Sequence, residues 1–114
     1  MKFSLHTHFV SLIPVVVIDG DVTGQDVSKV SSELNKYLQS ESKAVAMDLS
    51  NMTFIDSQGI GIFIYCSEMF RKRQKSIYLL NPKSFIRNMF TDMSLDKVFR
   101  IFDSEKQMLE ETEK

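Results

Sequence analysis

The chain has 114 residues, 43% hydrophobic and 25% charged, a length and balance that suit one globular domain and exclude a disordered chain. With 14 Lys+Arg against 15 Asp+Glu the formal net charge is -1, which gives no electrostatic footprint for direct nucleic-acid binding and points to a protein or small-molecule partner. A single cysteine, Cys66, excludes an internal disulfide and fits a reducing, cytoplasmic setting.

Lys2 to Ile13 is rich in β-branched and aromatic residues and predicts a first strand. His6 and His8 are two apart, so they share one strand face, where solvated histidines are expected and no metal or other cofactor. The apolar stretch Phe9 to Ile18 is broken by Ser11 and Pro14 and is too short to span a membrane. It runs into Asp19-Gly20-Asp21 without a small-x-small cleavage pattern, so no secretory signal is expected. Pro14 is expected to punctuate the first strand. Val15 to Ile18 forms the second, closed by a turn at Asp19-Gly20-Asp21, and the two strands pair antiparallel.

From Gln25 to Gln39 the spacing turns helical, with Val27, Val30, Leu34 and Leu38 on one side and Thr23 or Asp26 placed to cap the start. Ala44 to Leu49 is a short buried strand. A second helix follows Ser57, with Ile60, Phe63, Ile64, Ser67 and Phe70 or Arg71 facing inward. Ser76 to Leu80 is another apolar strand. Lys83 to Phe90 predicts a third helix with Phe85, Ile86, Met89 and Phe90 inward, Val98 to Ile101 a short strand, and Asp103-Ser104 the cap of a last helix. Strands alternating with helices imply parallel neighbours joined by right-handed crossovers. The expected fold is therefore α/β, a single domain over residues 1–114 with a mixed sheet of four to five strands and about four helices.

The segment that carries chemistry is Asp48 to Phe63, D-L-S-N-M-T-F-I-D-S-Q-G-I-G-I-F. A buried strand ends near Leu49, Phe54 and Ile55 are expected to tuck in, and Asp56-Ser57 opens the second helix. At a helix N-terminus open backbone N–H groups and the positive dipole end favour negative charge. Asp and Ser before a helix are also common caps. Gly59 and Gly61 cost about 1 kcal/mol each against Ala in a helix interior, which suggests that something approaches closely there.

The run A-V-A-M-D-L-S-x-M-x-F-I-D-S-x-G-I-G-I-F closely resembles the core signature of bacterial anti-sigma factor antagonists, the STAS domain family. The likeness extends to Val16–Val22, to Ile77–Leu80 and to the closing segment Met93–Ser104. The resemblance implies a non-enzymatic switch. Unphosphorylated, such a protein binds an anti-sigma factor that is also a serine kinase, and thereby frees the sigma factor. Phosphorylation of the D-S-x-G serine, here Ser57, switches binding off, and a serine phosphatase resets it. The resemblance also implies that Asp56, Ser57, Gln58, Gly59 and Gly61, together with the turn Asp21-Val22-Thr23, touch the partner. Ile62, Tyr65 and Met69 form a second apolar stripe on the same helix, which suits either docking or burial.

Thr23, Ser50 and Thr53 are neighbouring hydroxyls that could be modified instead of Ser57. The basic run Arg71-Lys72-Arg73-Gln74-Lys75 reads chiefly as a helix end that complements the dipole. A catalytic serine would need a base, yet the two histidines lie on the first strand, and the nucleophile elbow is absent because Ile55 stands where its first glycine would be. Within the same fold, the alternative role is a scaffold subunit of a stress-sensing or lipid-transport assembly.

Overall fold

The computed structural model describes residues 2–113. Strand β1 (Ser4–Val10) pairs antiparallel with β2 (Ile13–Val22), from Ser4 opposite Asp19 to Val10 opposite Ile13. The hairpin turns on Ser11, which takes a left-handed φ of 56°. Two expectations fail here. Pro14 does not end a strand; it lies inside β2 opposite Phe9. It is tolerated because pairing of β2 with its other neighbour begins only at Val15, so the missing N–H costs no ladder bond on that side. Nor is Asp19-Gly20-Asp21 a turn. Gly20 adopts φ 85° and the register shifts between Gly20 and Asp21, a bulge that carries the strand on to Val22.

β3 (Ala44–Asp48), β5 (Ser76–Leu80) and β6 (Arg100–Phe102) add in parallel, giving the order β1-β2-β3-β5-β6. A sixth strand, β4 (Met52–Ile55), pairs in parallel with the end of β2 beyond the bulge, Asp21 against Phe54 and Val22 against Ile55. This strand was not expected from the sequence. Within it Ile55 and Met52 are buried, but Phe54, expected to tuck in, is 48% exposed.

Three helices cover one face of the sheet. α1 (Val27–Asn35) is shorter than its periodicity suggested and buries Val30 and Leu34. Asp26 stands at its N-cap position, but its carboxylate accepts from the Thr23 N–H and hydroxyl rather than from a helix amide. α2 (Ser57–Lys72) turns Ile60, Phe63, Cys66 and Phe70 inward. The buried stripe thus runs through Cys66, with Ile64 and Ser67 only half-buried. α3 (Ser84–Asp92) buries Ile86 and Phe90, one turn apart. Phe85 faces out and Met89 is half-buried, because a nine-residue helix offers the sheet only one narrow stripe. Phe63, Phe90 and Phe99 meet with centroids 6.3 to 6.5 Å apart and lock α2, α3 and the approach to β6 together. That approach is a 3-10 turn (Leu95–Lys97) reached through Ser94 at φ 60°, so the last strand starts at Arg100, later than expected.

The other face carries a smaller core of Val15, Val17, Ala46, Leu80 and Phe102, closed by Met108 of α4 (Glu105–Thr112). Ser104 caps α4 as expected, accepting from the Gln107 N–H at 3.0 Å. His8 reaches Glu105 at 2.7 Å and Arg100 reaches Glu111 at 3.0 Å, so this helix is tied to both edge strands. Among the described residues no helix is long and apolar enough to cross a membrane.

Candidate functional site

The parallel strands β2, β3 and β4 deliver their C-terminal ends to one rim, and α2 starts there. In open α/β sheets this is where ligands and partners meet the fold. The Asp56 N–H donates to the Val22 carbonyl oxygen at 3.0 Å, which fixes the end of β4 against the end of β2. Asp56 itself is extended, with ψ near 180°, and serves as the N-cap of α2. One carboxylate oxygen accepts from the Gly59 N–H at 2.8 Å. The other accepts from the Gly24 N–H at 3.1 Å, in the turn between β2 and α1. A single side chain therefore caps the helix and draws the Thr23-Gly24 turn to it.

Ser57 is the first residue of α2 and is exposed, as is Gln58 beside it. Among the described residues no hydrogen bond holds the Ser57 hydroxyl. The other hydroxyls of the rim are all engaged by aspartates. Thr23 donates to Asp26 at 3.1 Å, Ser50 to Asp48 at 2.7 Å, and Thr53 to Asp21. The Thr53 hydroxyl holds the Asp21 carboxyl below the usual carboxylate range.

The two glycines of α2 differ. A Cβ on Gly59 would lie 2.7 Å from Ile55 Cγ1 and 3.2 Å from the Val22 carbonyl oxygen, so Gly59 is required by the close packing of α2 on the sheet rather than by anything outside. Gly61 is exposed, with nothing within 4 Å of such an atom. The side chain of Val22 is fully buried and serves the core, so it presents no surface of its own. Tyr65 is 57% exposed, while Ile62 and Met69 are half-buried, so the second stripe of α2 is partly open to solvent. Asp21, Thr23, Asp56, Ser57, Gln58, Gly61, Ile62 and Tyr65 thus have some exposure, and Val22 and Gly59 are buried beneath them. Phe54 was missed. Its signal was a large aromatic in a four-residue segment with no alternation, which sequence reading placed inside.

His6 lies opposite Val17 and His8 opposite Val15, whereas α2 follows the strand that meets Val22. Five residues of strand separate His6 from that rim, about 16 Å. The histidines contact Asp19 and Glu105 instead. Among the described residues no group of three His, Cys, Asp or Glu side chains could hold a metal ion. The Cys66 thiol, fully buried under α2, is pushed up to about 11 by loss of solvent.

Comparison with known proteins agrees with this architecture. The chain is similar to an anti-sigma-B factor antagonist from Listeria monocytogenes, 24% identical over 93 residues that cover 82% of each chain. Among solved structures it superposes on an anti-sigma factor antagonist from Mycobacterium paratuberculosis with a TM-score of 0.85, at 17% identity, over 99% of this chain and 96% of the other. It also superposes on the Bacillus cell fate determinant SpoIIAA in its phosphorylated form with a TM-score of 0.72, at 17% identity, over 96% and 98%. The model of the STAS domain family matches residues 5–108, nearly the whole described chain, and the protein belongs to that family.

Proposed function

We propose that the protein is an anti-sigma factor antagonist that works by partner switching in the cytoplasm. In its unphosphorylated form the rim around Ser57 docks on an anti-sigma factor, a serine kinase, which releases the sigma factor. Phosphorylation of Ser57 ends the docking, and a serine phosphatase restores it. The protein performs no catalysis of its own in this cycle.

The observation that carries the reading is the state of the hydroxyls. Ser57 is exposed and unbound, while Thr23, Ser50 and Thr53 each donate to an aspartate and would have to give up that bond to reach a kinase. The name of the Listeria relative and the phosphorylated form of SpoIIAA support the same cycle. The electrostatics fit as well. A phosphate adds about -1.5 to -2 charges. The N-terminus of α2 tolerates that charge, so the fold stays intact. The rim already carries Asp21, Asp26, Asp48 and Asp56, so the added charge acts on whatever faces it. The off-switch is then local and electrostatic, with no need for global rearrangement.

The test is intact-mass spectrometry with site mapping after incubation with ATP and each anti-sigma kinase encoded in the same genome. One phosphate on Ser57, lost in Ser57→Ala, is expected. Phosphate on Thr23, Ser50 or Thr53 instead, or a Ser57-phosphorylated protein that binds its kinase as tightly as the unmodified one, would overturn the reading. No phosphate with any kinase would favour the scaffold role.

A further inference from the structure

The end of α2 remote from Ser57 borders a cleft of about 500 Å³, walled by the last turns of the helix, the start of β5, the 3-10 turn and the start of β6. Ligand sites commonly fall in this size range. Arg71, Lys75, Lys97 and Arg100 line it, against one acidic side chain, Glu68. Ile77, Tyr78 and Val98 supply an apolar wall. A 16-residue helix is about 24 Å long, so this cleft and the Ser57 rim are separate.

A basic helix end is ordinarily a complement to the helix dipole, and that accounts for Arg71 and Lys72. It does not account for Lys97 and Arg100, which come from the 3-10 turn and β6, nor for Lys75, which follows the helix. The cations are held in place to different degrees. Lys75 donates to the carbonyls of Tyr37 and Ser40 at 2.8 and 2.7 Å and is fixed by them. Arg71 pairs with Glu68 at 2.6 Å, and Arg100 pairs with Glu111 at 3.0 Å while lying 4.9 Å above the Phe102 ring. The Lys97 ammonium makes no hydrogen bond or ion pair among the described residues. Burial, with smaller contributions from Lys43 and Arg73 outside the cleft, pulls the Lys75 ammonium below its ordinary range. In a chain of net charge -1, this concentration of cations around a concavity is local.

We propose that the cleft binds a small, soluble phosphate monoester, its dianionic phosphate between Lys97 and Arg71 and its organic part against Ile77 and Val98. Guanidinium and ammonium donors give short charge-assisted hydrogen bonds to phosphate oxygens, and guanidinium can do so through two bonds at once. The concavity selects a small molecule over a flat polyanion, and the apolar wall selects an ester over the inorganic ion.

Phenyl phosphate and inorganic phosphate are the probes, titrated into the full chain and followed by two-dimensional amide NMR at low salt. Saturable shifts are expected at Ile77, Tyr78, Val98 and Arg100, with phenyl phosphate binding more tightly than inorganic phosphate. Lys97→Ala, at an exposed side chain without a partner, is expected to keep the native spectrum and weaken phenyl phosphate by about threefold or more. Arg71→Ala is expected to act in the same direction. Shifts confined to Ser57, Gln58 and Gly59, the absence of saturation, or an unchanged affinity in both variants would overturn the proposal. So would co-sedimentation with phosphatidic-acid vesicles that Lys97→Ala abolishes, since that result assigns the cleft to a lipid headgroup.

Discussion

Asp56 and Gly24 are 32 residues apart, yet the Asp56 carboxylate accepts the Gly24 N–H while its second oxygen caps α2. Removing that carboxylate releases a helix cap and a turn in one step. Helix caps are worth about 0.5–2 kcal/mol. Asp56→Ala is therefore expected to lower stability by about 1–2 kcal/mol, read as a shift of the urea midpoint with unchanged slope. Asp56→Asn keeps one acceptor oxygen and is expected to fall between the two.

The glycines of α2 predict opposite signs for one substitution. Gly59→Ala forces a methyl to within 2.7 Å of Ile55 and against the Val22 carbonyl, so it destabilises. Gly61→Ala meets open space and gains helix propensity of about 1 kcal/mol, or roughly 4 °C in Tm for a domain of this size. In the proposed complex, the methyl at 61 faces the partner instead. A variant more stable than the parent but weaker in binding the anti-sigma factor would place position 61 in the interface.

At position 57 stability and binding are expected to separate. A negative side chain in the first turn of α2 is favourable by a few tenths of a kcal/mol, so Ser57→Asp is expected to melt no lower than the parent. Its affinity for the anti-sigma factor is expected to fall by about tenfold or more, while Ser57→Ala binds and resists inactivation. Isothermal titration of both variants checks this, and equal affinities count against Ser57 as the switch.

The Cys66 thiol has its ionisation raised from an ordinary 9.0 to about 11 by burial. A raised value in the folded state means that stability is intact below pH 9. It is lost as pH climbs from 9 towards 11, because the unfolded thiol ionises over that range and the folded one does not. In the native protein, labelling by a thiol reagent at pH 8 is expected to be limited by opening of the fold and to become immediate in denaturant.

The sequence made some of this visible and hid the rest for identifiable reasons. β3 and β5 are covered on both faces, so Ala44–Met47 and Ile77–Leu80 stand out as unbroken apolar runs. β4 has only four residues, no alternation and a partner on one side, so periodicity carries no trace of it. The bulge at Gly20 shares its Asp-Gly-Asp spelling with a turn. Pro14 breaks strands only where its missing N–H would be needed, and that depends on where β3 begins to pair. In the site, the position of Ser57 follows from local chain order. That Thr23, Ser50 and Thr53 are each bound to an aspartate, and that Gly59 serves packing while Gly61 does not, depends on contacts across the sheet that no local pattern encodes.

The second face of the sheet rests on α4, eight residues long and too short to hold its shape in water unaided. Its ties to β1 and β6 are a half-exposed histidine–carboxylate contact and a half-exposed ion pair, which add little. The contacts of Met108 must therefore be gained or lost together, and the helix forms one cooperative opening unit that can leave the sheet intact. Amide hydrogen exchange should find that unit at the low-energy end of the molecule, well below the locked aromatic centre at Phe63, Phe90 and Phe99. The helices on the two faces of one sheet would then report two different stabilities.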